Sequence, residues 1–288
     1  MYRFALALAE VLYAYLGFEF KIIYAQAQIL SQIPIMFSKH ADTAPPVWLE
    51  AIFEKLDVAN TKRAVAFGMS CYDSGYRSFQ FTLKMTIAGP LVTIALLSLG
   101  FAVAACVFKH DPARCFDRFS TLSILLLYTI LPTASTTCFQ AFLCDDDFGV
   151  DGETFMNSDY AQSCAGESYA AVKALAICGV VLYPVGVNCL IGFLLWRHRE
   201  NIMRRDGEGA SHLFLIFDGY KRESFYFELV DSVRRIALTG LLVFIPEKSR
   251  ASGAMIIAML FFGIFSEAQP FSKSDLNIVA DVSNASIA

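Results

Sequence analysis

The stretch of residues 85–108 contains no charged side chain, and it constrains this chain more than any other feature. An α-helix rises 1.5 Å per residue, so about 20 apolar residues cross the roughly 30 Å hydrocarbon core of a bilayer. Comparable runs follow it, and the chain is 56% hydrophobic but only 17% charged, whereas soluble domains carry about 25% charged residues. This composition argues against a soluble enzyme or a disordered chain, and the net charge of −4 argues against a nucleic-acid binder.

The apolar runs predict an all-α fold, a polytopic transmembrane helix bundle with about six spans. Continuous apolar segments favour helices over a transmembrane barrel, whose strands alternate polar and apolar side chains. An amphipathic lead-in helix is expected over 1–21 and a multi-pass domain over 22–288, with a truncated further helix opening over 276–288. The six expected spans are 22–37, 85–108, 119–143, 170–196, 225–245 and 251–265.

Loop charges predict the orientation of the bundle, because Lys and Arg are enriched in short cytoplasmic loops. The loops 109–118 and 197–224 are basic, and two spans separate them, so both are expected in the cytoplasm. The loop 144–168 between them contains seven acidic residues and neither Lys nor Arg. We therefore expect the loops 38–84, 144–168 and 246–250 to face outward, in a multi-pass protein of the plasma membrane.

Three of the eight cysteines fall on the expected outer side, where disulfides persist. They are Cys71, Cys144 and Cys164. The Cys144–Cys164 pair is favoured, since closing a loop of about 20 residues stabilises a fold by roughly 3 kcal/mol. The Cys71–Cys164 pair is the alternative.

The outer loop that Cys144 and Cys164 bracket is rich in carboxylates. A calcium loop places its ligands at fixed positions around one glycine, and Gly152 does not stand where that pattern requires it. We therefore expect neither a specific metal site nor a cofactor, but a solvated acidic surface that attracts cations. Its carboxylates are Asp145, Asp146, Asp147, Asp151, Glu153 and Asp159.

Charged residues interrupt the fifth expected span. A charge at the centre of a bilayer costs about 2.5–3.5 kcal/mol, and the spacing of Asp231 and Arg235 allows an i,i+4 ion pair on a helix. One interpretation is an interfacial first turn and a half before an apolar core, Ile236–Ile245. A second places the charges at the cytoplasmic end of a gate or ligand pocket, and the arginines also suit anionic lipid headgroups. The four candidate residues are Glu228, Asp231, Arg234 and Arg235.

A polar stripe marks the first expected span. Tyr24, Gln28 and Gln32 recur every four residues and therefore share one helix face. In lipid such a face meets other helices, where each hydrogen bond contributes about 0.6–2 kcal/mol. Hydrogen bonding between helices is one interpretation of the stripe, and a stripe that lines a pore or faces a ligand is the other.

Several segments occur in an order that is typical of a known family. They are KIIYAQAQILSQIP at 21–34, Cys71, FQAFLCDDDFGVDGETFMNSDYAQSC at 139–164, YPVG at Tyr183–Gly186, ELVDSVRRIALTGLLVFIP at 228–246, and QPF at 269–271 followed by Asn277. In this order the chain resembles the C-terminal multi-pass region of large surface proteins of protists and algae. These are similar in turn to the fungal transient-receptor-potential (TRP)-like membrane proteins. The similarity covers about residues 21 to 278.

The resemblance implies a TRP-like channel or sensor module. The alternative is a non-conducting membrane anchor, or receptor-like region, of a larger surface protein. A lipid or solute transporter is less favoured because no inverted repeat is visible. No enzyme is expected, since the four histidines are scattered and neither a phosphate loop nor a nucleophile elbow occurs. Membrane lipid is the expected partner, cations and a second copy of the chain are further candidates, and nucleic acid is not expected.

Overall fold

Among the residues that the structure describes, four helical stretches are long and apolar enough to cross a membrane. The computed structural model describes residues 18–30, 78–107, 111–145, 153–204 and 213–285, and it is mostly helical (81%). The four stretches overlap the second, third, fourth and sixth spans expected from the sequence. They are Phe79–Val107, Pro112–Gln140, Glu167–Arg197 and Ser249–Ala268.

The described residues form ten α-helices and three short strands. The helices are α1 Phe18–Leu30, α2 Phe79–Val107, α3 Pro112–Gln140, α4 Glu167–Val180, α5 Asn188–Arg197, α6 Arg199–Arg204, α7 Phe214–Phe217, α8 Phe227–Thr239, α9 Glu247–Ala268 and α10 Ser274–Ala285. The strands are β1 Cys144–Asp145, β2 Phe155–Met156 and β3 Asp159–Ser163. A π-helical segment, Val181–Val187, joins α4 to α5, and 3₁₀ turns at Arg222–Ser224 and Leu241–Phe244 flank α8.

The first and fifth expected spans differ from the other four. The first corresponds to α1, which runs without a break across residues 21 and 22, while residues 31–37 lie outside the described residues. The fifth corresponds to α8, which has 13 residues, and the 3₁₀ turn that follows it. Neither is among the four membrane-compatible helices. About six spans were expected, and in the described part of the chain four helices have both the length and the composition for one.

Two segments that were expected to be loops contain helices. The segment 109–118 holds the start of α3, where Pro112 occupies the first helical position and its missing N–H costs no hydrogen bond. The carboxylate of Asp111 accepts a hydrogen bond from the N–H of Ala113 at 3.1 Å and caps this helix. The segment 197–224 contains α6, α7 and a 3₁₀ turn. Helix α3 therefore begins seven residues before the expected span 119–143.

A small sheet departs from the all-α expectation. Its three antiparallel strands lie in the order β1-β2-β3, with Cys144 opposite Met156. The expected Cys144–Cys164 disulfide is present, with its Cα atoms 6.3 Å apart, and it ties β1 to the residue after β3. Cys71, the alternative partner, lies outside the described residues. Strands of two to five residues are too short for an alternating pattern to reveal.

The sheet marks one end of the bundle, which we call the sheet end. Helix α3 runs into the sheet and α4 leaves it. At the start of α2 the N–H of Phe79 donates to the carboxylate of Asp159 at 3.0 Å, so α2 also begins at this end. The opposite end, where α2 meets α3 and α5 meets α6, carries Arg114, Arg197 and Arg199, and we call it the basic end.

Helix α3 lies at the centre of the bundle and α2 at its edge. In their most apolar 18 residues, 56% are buried in α3 and only 11% in α2. Several large side chains of α2 point outward, as Leu96 (64% exposed) shows, while Phe79, Leu83 and Ile87 are buried. The two helices cross α4 closely, because a Cβ on Gly179 would strike the sulfur of Cys138 and lie 2.9 Å from Ile87 Cδ1. An apolar outer face around a tight centre fits a lipid environment.

Helices α8, α9 and α10 form the second half of the bundle. Helix α8 lies along α3, where the Thr136 hydroxyl donates to the Thr239 carbonyl at 3.0 Å. Helix α9 ends at Ala268, and Gln269 after it has the left-handed φ of 38° common after helices. The side chain of Asn277 both accepts from and donates to the backbone of Phe271, each at 3.1 Å, which holds the turn into α10. The further helix expected over 276–288 is present as α10, which turns back along α9.

Candidate functional site: a buried ion-pair cluster

The four charged side chains of the fifth expected span lie together inside the protein. Their i, i+3, i+6 and i+7 spacing places them on one face of α8. Their exposed fractions are 0% for Glu228, 8% for Asp231, 4% for Arg234 and 1% for Arg235. We call these four residues the ion-pair cluster. The buried face of α8 is therefore its charged face.

The carboxylate of Asp231 is shared by both arginines. Nη2 and Nε of Arg234 lie 2.7 Å and 3.0 Å from Oδ1 of Asp231. Nε of Arg235 lies 3.2 Å from Oδ2 of the same residue, and its Nη2 lies 3.8 Å from Oε1 of Glu228. Two positive and two negative charges thus balance within one helix face. Pairing of this kind offsets the desolvation cost that each isolated charge would bear.

Aromatic rings from two other helices cover the arginines. The guanidinium carbon of Arg235 lies 3.9 Å from the ring centroid of Tyr128 on α3. That of Arg234 lies 5.5 Å from the ring of Phe265 on α9. A desolvated cation over an aromatic face gains about 2 kcal/mol from the ring quadrupole. The cluster therefore attaches α8 to α3 on one side and to α9 on the other.

The segment before α8 contributes Tyr220. Its hydroxyl donates to Oε2 of Glu228 at 3.2 Å, and its ring stacks on Phe271 with centroids 5.0 Å apart. Burial, together with the nearby carboxylates of Glu228 and Asp231, raises the pKa of the Tyr220 phenol well above its ordinary value of 10. The phenol is therefore a fixed hydrogen-bond donor at neutral pH.

Helix α10 also contacts the cluster. The side-chain oxygen of Asn284 accepts a hydrogen bond from Nη1 of Arg234. One residue earlier, the carbonyl of Ser283 accepts from Nε2 of Gln26 on α1 at 2.5 Å. Helix α10 is thus held between the cluster and α1.

The polar stripe of the first expected span meets α3. Nε2 of Gln28 donates to the carbonyl of Thr129 at 2.9 Å and lies 3.2 Å from the Tyr24 hydroxyl. Gln28 is buried, at 1% exposed. Gln32 lies outside the described residues. Gln28 therefore makes a hydrogen bond between α1 and α3, as the interhelical interpretation requires, while its contact with Tyr24 lies within α1.

A cavity of about 20 Å³ adjoins the cluster. Asp231 and Arg234 line it, together with apolar and polar residues of α1, α3, α9 and α10. A space of this size holds about one water molecule. The cluster is therefore closely surrounded, and the cavity is too small for a hydrated ion or an organic ligand.

The acidic surface at the sheet end has structural contacts. Asp145 accepts a hydrogen bond from the Tyr160 hydroxyl at 2.8 Å, and Asp159 accepts from the N–H of Phe79 and from that of Ala161 at 3.2 Å. Within the described ranges, no three His, Cys, Asp or Glu side chains are grouped closely enough to hold a metal ion. Glu153 is exposed. The remaining carboxylates lie outside the described residues: Asp146, Asp147 and Asp151.

Sequence reasoning found the charges of the cluster but not their partners. Tyr128, Phe265 and Asn284 are ordinary residues of apolar or mixed segments, and no spacing rule links them to α8. The one available signal was that four charges in an apolar region must have partners. It indicated that a site exists without indicating which helices complete it.

The described residues thus form a mostly helical protein with four membrane-compatible helices, and a buried ion-pair cluster on α8 contacts two of them, α3 and α9. Comparisons with family models, curated proteins and solved structures give no significant match to this chain.

Proposed function

We propose that the protein is a non-conducting membrane anchor or receptor-like module, in which the ion-pair cluster fastens α8, α9 and α10 to α3. The burial and mutual neutralisation of all four charges carry this proposal. An ion pathway needs a wet, continuous route lined by polar groups. Here the charged groups face one another and aromatic rings, beside a cavity of about 20 Å³.

Six crossings of the membrane are part of this proposal, with α1 and α8 added to the four membrane-compatible helices. With its 3₁₀ turn, α8 would extend about 28 Å, close to the roughly 30 Å thickness of the hydrocarbon core. It follows α3 over this length, and the T-shaped contact of Phe139 with Phe244, at 5.5 Å, lies near the sheet end. Because its charges are paired, α8 avoids most of the cost of an isolated charge in lipid.

The proposed orientation places the sheet end outside the cell and the basic end in the cytoplasm, at the plasma membrane. The disulfide at the sheet end supports an oxidising surrounding. Arginines at the other end support the cytoplasmic side. Lipid is the proposed partner of the apolar outer faces, on which Leu96 and Ile256 are 64% and 68% exposed. Cations near the acidic surface and a second copy of the chain remain proposed partners.

A TRP-like channel or sensor is the second candidate. The π-helical segment within a membrane-compatible helix favours it, because π turns are frequent at functional sites. The connection between α8 and α9 does not favour a pore at that position, since α9 begins at Glu247 only three residues after the 3₁₀ turn ends at Phe244. A pore helix and filter need a longer connection. A channel would have to place its pore elsewhere or between copies.

Conductance in planar bilayers separates the two candidates. The purified full-length chain is reconstituted and compared with protein-free bilayers and with the variants Asp231→Asn and Asp275→Asn. We expect no current above the protein-free baseline for the wild type or for Asp275→Asn, which changes an exposed carboxylate. Unitary currents in the wild type that persist in Asp275→Asn and change in Asp231→Asn would refute the anchor proposal and support the channel.

A further inference from the structure

The helix Glu167–Arg197 is not α-helical throughout, because the seven residues Val181–Val187 are π-helical. Such segments are rare, and most are single-turn insertions in α-helices. Each hydrogen-bonded ring of a π turn holds one residue more than an α turn. If the same residues formed an α-helix, every residue after them would therefore move by one position relative to α4.

Two side-chain features favour the π form at this position. A Cβ on Gly186 would lie 2.9 Å from the carbonyl oxygen of Val181, five residues earlier, so the wide turn needs glycine here. The side-chain Nδ2 of Asn188 donates to the carbonyl of Pro184 at 2.6 Å, while its backbone N–H bonds to Val185. In an α-helix the backbone N–H of residue 188 would serve that carbonyl. The asparagine amide thus replaces the lost backbone donor.

The two sides of the π segment are held by different neighbours. Tyr183 is fully buried, and its hydroxyl donates to the carbonyl of Ile87 on α2 at 2.7 Å, which fixes the α4 side. On the other side α5 lies against α8, where a Cβ on Gly192 would be 3.6 Å from Leu229 Cδ2. Of the seven residues in the segment, Val181, Leu182 and Val185 are exposed, so the packing that a change must replace lies on the other face, where Val187 and, on α5, Ile191 and Leu195 are buried.

We propose that the segment Val181–Val187 is a two-register switch between α4 and α5. In the π form Gly192 faces Leu229. In the α form α5 is rotated by about 100°, the angle between successive residues of an α-helix, and Ile191 faces Leu229 instead. The change alters the contact of α5 with α8, the helix that carries the ion-pair cluster, and keeps the contact of Tyr183 with α2. The switch does not depend on whether the protein conducts ions.

Disulfide cross-linking between α5 and α8 tests the switch in the full-length protein in membranes. The cysteines outside the Cys144–Cys164 disulfide are replaced by alanine, and Leu229→Cys is paired with either Gly192→Cys or Ile191→Cys. We expect the 192–229 cross-link to dominate in this background. Adding Gly186→Ala is expected to shift the yield ratio toward 191–229 by about tenfold, which corresponds to 1.4 kcal/mol.

Deletion of Gly186 is the matched variant, because it removes the extra residue together with the glycine. It gives an α-helix that keeps α5 in its present register, so the 192–229 cross-link is expected to remain and 191–229 to stay weak. An unchanged ratio in Gly186→Ala would overturn the switch. If Gly186→Ala fails to fold and gives neither cross-link, the deletion decides: retention of 192–229 supports the proposal, and its loss overturns it.

Discussion

A carboxylate between two guanidinium groups in a dry interior cannot be removed without leaving a charge unpaired. Asp231 is in this position, since its two oxygens face Arg234 and Arg235. Replacing it with asparagine keeps the shape and removes the charge. We expect Asp231→Asn to lower the stability of the protein by about 3–5 kcal/mol, measured as the unfolding midpoint in detergent.

The control for this substitution is Asp275→Asn, the same chemical change at an exposed position on α10. It should alter stability by less than about 1 kcal/mol. Equal midpoints for Asp231→Asn and Asp275→Asn would contradict the assignment of Asp231 as the shared partner of the two arginines.

Tyr220 gives the cluster a dependence on alkaline pH. Its pKa is raised in the folded protein above the ordinary value of 10, so folding favours the protonated phenol. This contribution is complete below pH 10 and is lost as the pH rises from there through the raised pKa. We expect the unfolding midpoint of the wild type to fall above a pH of about 10, and that of Tyr220→Phe to fall less. Thermal scans between pH values of about 9 and 11 measure the difference.

Tyr226→Phe serves as the comparison, because Tyr226 is 49% exposed and close in sequence. It should keep the alkaline loss of the wild type. An alkaline loss in Tyr220→Phe equal to that of the wild type would remove Tyr220 as its source.

At the residue scale, the sequence indicated where the site is and not how it is completed. The charges of Asp231 and Arg235 are conspicuous in an apolar region, and their pairing follows from the i,i+4 spacing on a helix. Tyr128 contacts Arg235 across more than a hundred residues of chain, and nothing about a tyrosine in an apolar helix indicates that contact. Long-range partners depend on how helices assemble, which one sequence does not encode in any local pattern.

At the scale of elements, the sheet end depends on a covalent link. The disulfide joins β1 to the residue after β3, and Asp159 on β3 caps the start of α2. Replacing Cys144 and Cys164 with serine is expected to cost roughly 3 kcal/mol. The unfolding midpoint measures this loss, and a reducing agent should reproduce it in the wild type.

The comparison is Cys178→Ser, since Cys178 is free and exposed. This variant should keep the wild-type midpoint and its sensitivity to the reducing agent. If Cys144→Ser and Cys164→Ser together left the midpoint unchanged, the disulfide would have no role in stabilising this end.

Close helix crossings give a second prediction at this scale. Alanine at Gly179 would collide with Cys138 and Ile87, whereas alanine at Gly100 of α2 would meet nothing within 4 Å. We expect Gly179→Ala to destabilise the protein by about 1–3 kcal/mol. Gly100→Ala should be neutral or stabilising by up to about 1 kcal/mol, the helix propensity difference. Unfolding midpoints compare the two, and similar losses for both would contradict the observed packing of α2, α3 and α4.

The long apolar elements were predictable, and the short or irregular ones were not. Helices α2, α3 and α9 coincide with runs of about 20 apolar residues, which have few alternatives to a helix in lipid. The sheet escaped prediction because its strands are too short to show a period. The π segment escaped because one extra residue leaves an apolar run equally apolar. Only Gly186 and Asn188 distinguish it, and their contacts with the carbonyls of Val181 and Pro184 are visible only in the folded helix.

For the whole molecule, charge is distributed by position along the bundle axis. Asp145, Glu153 and Asp159 lie with the disulfide at the sheet end, Arg114, Arg197 and Arg199 lie at the basic end, and the charges of the ion-pair cluster between them are paired. An exposed apolar surface separates the two ends. Helix α2 contributes to it, since only 11% of its most apolar 18 residues are buried. This arrangement is expected of a protein that lies across a bilayer with its ends on opposite sides.

Labelling of single cysteines from one side of the membrane tests this claim most directly. Glu153→Cys reports the sheet end and Glu200→Cys the basic end, and both positions are exposed. In intact cells, with the free cysteines replaced, a membrane-impermeant maleimide should label residue 153 and should label residue 200 only after permeabilisation. Equal labelling of both positions in intact cells would contradict the account.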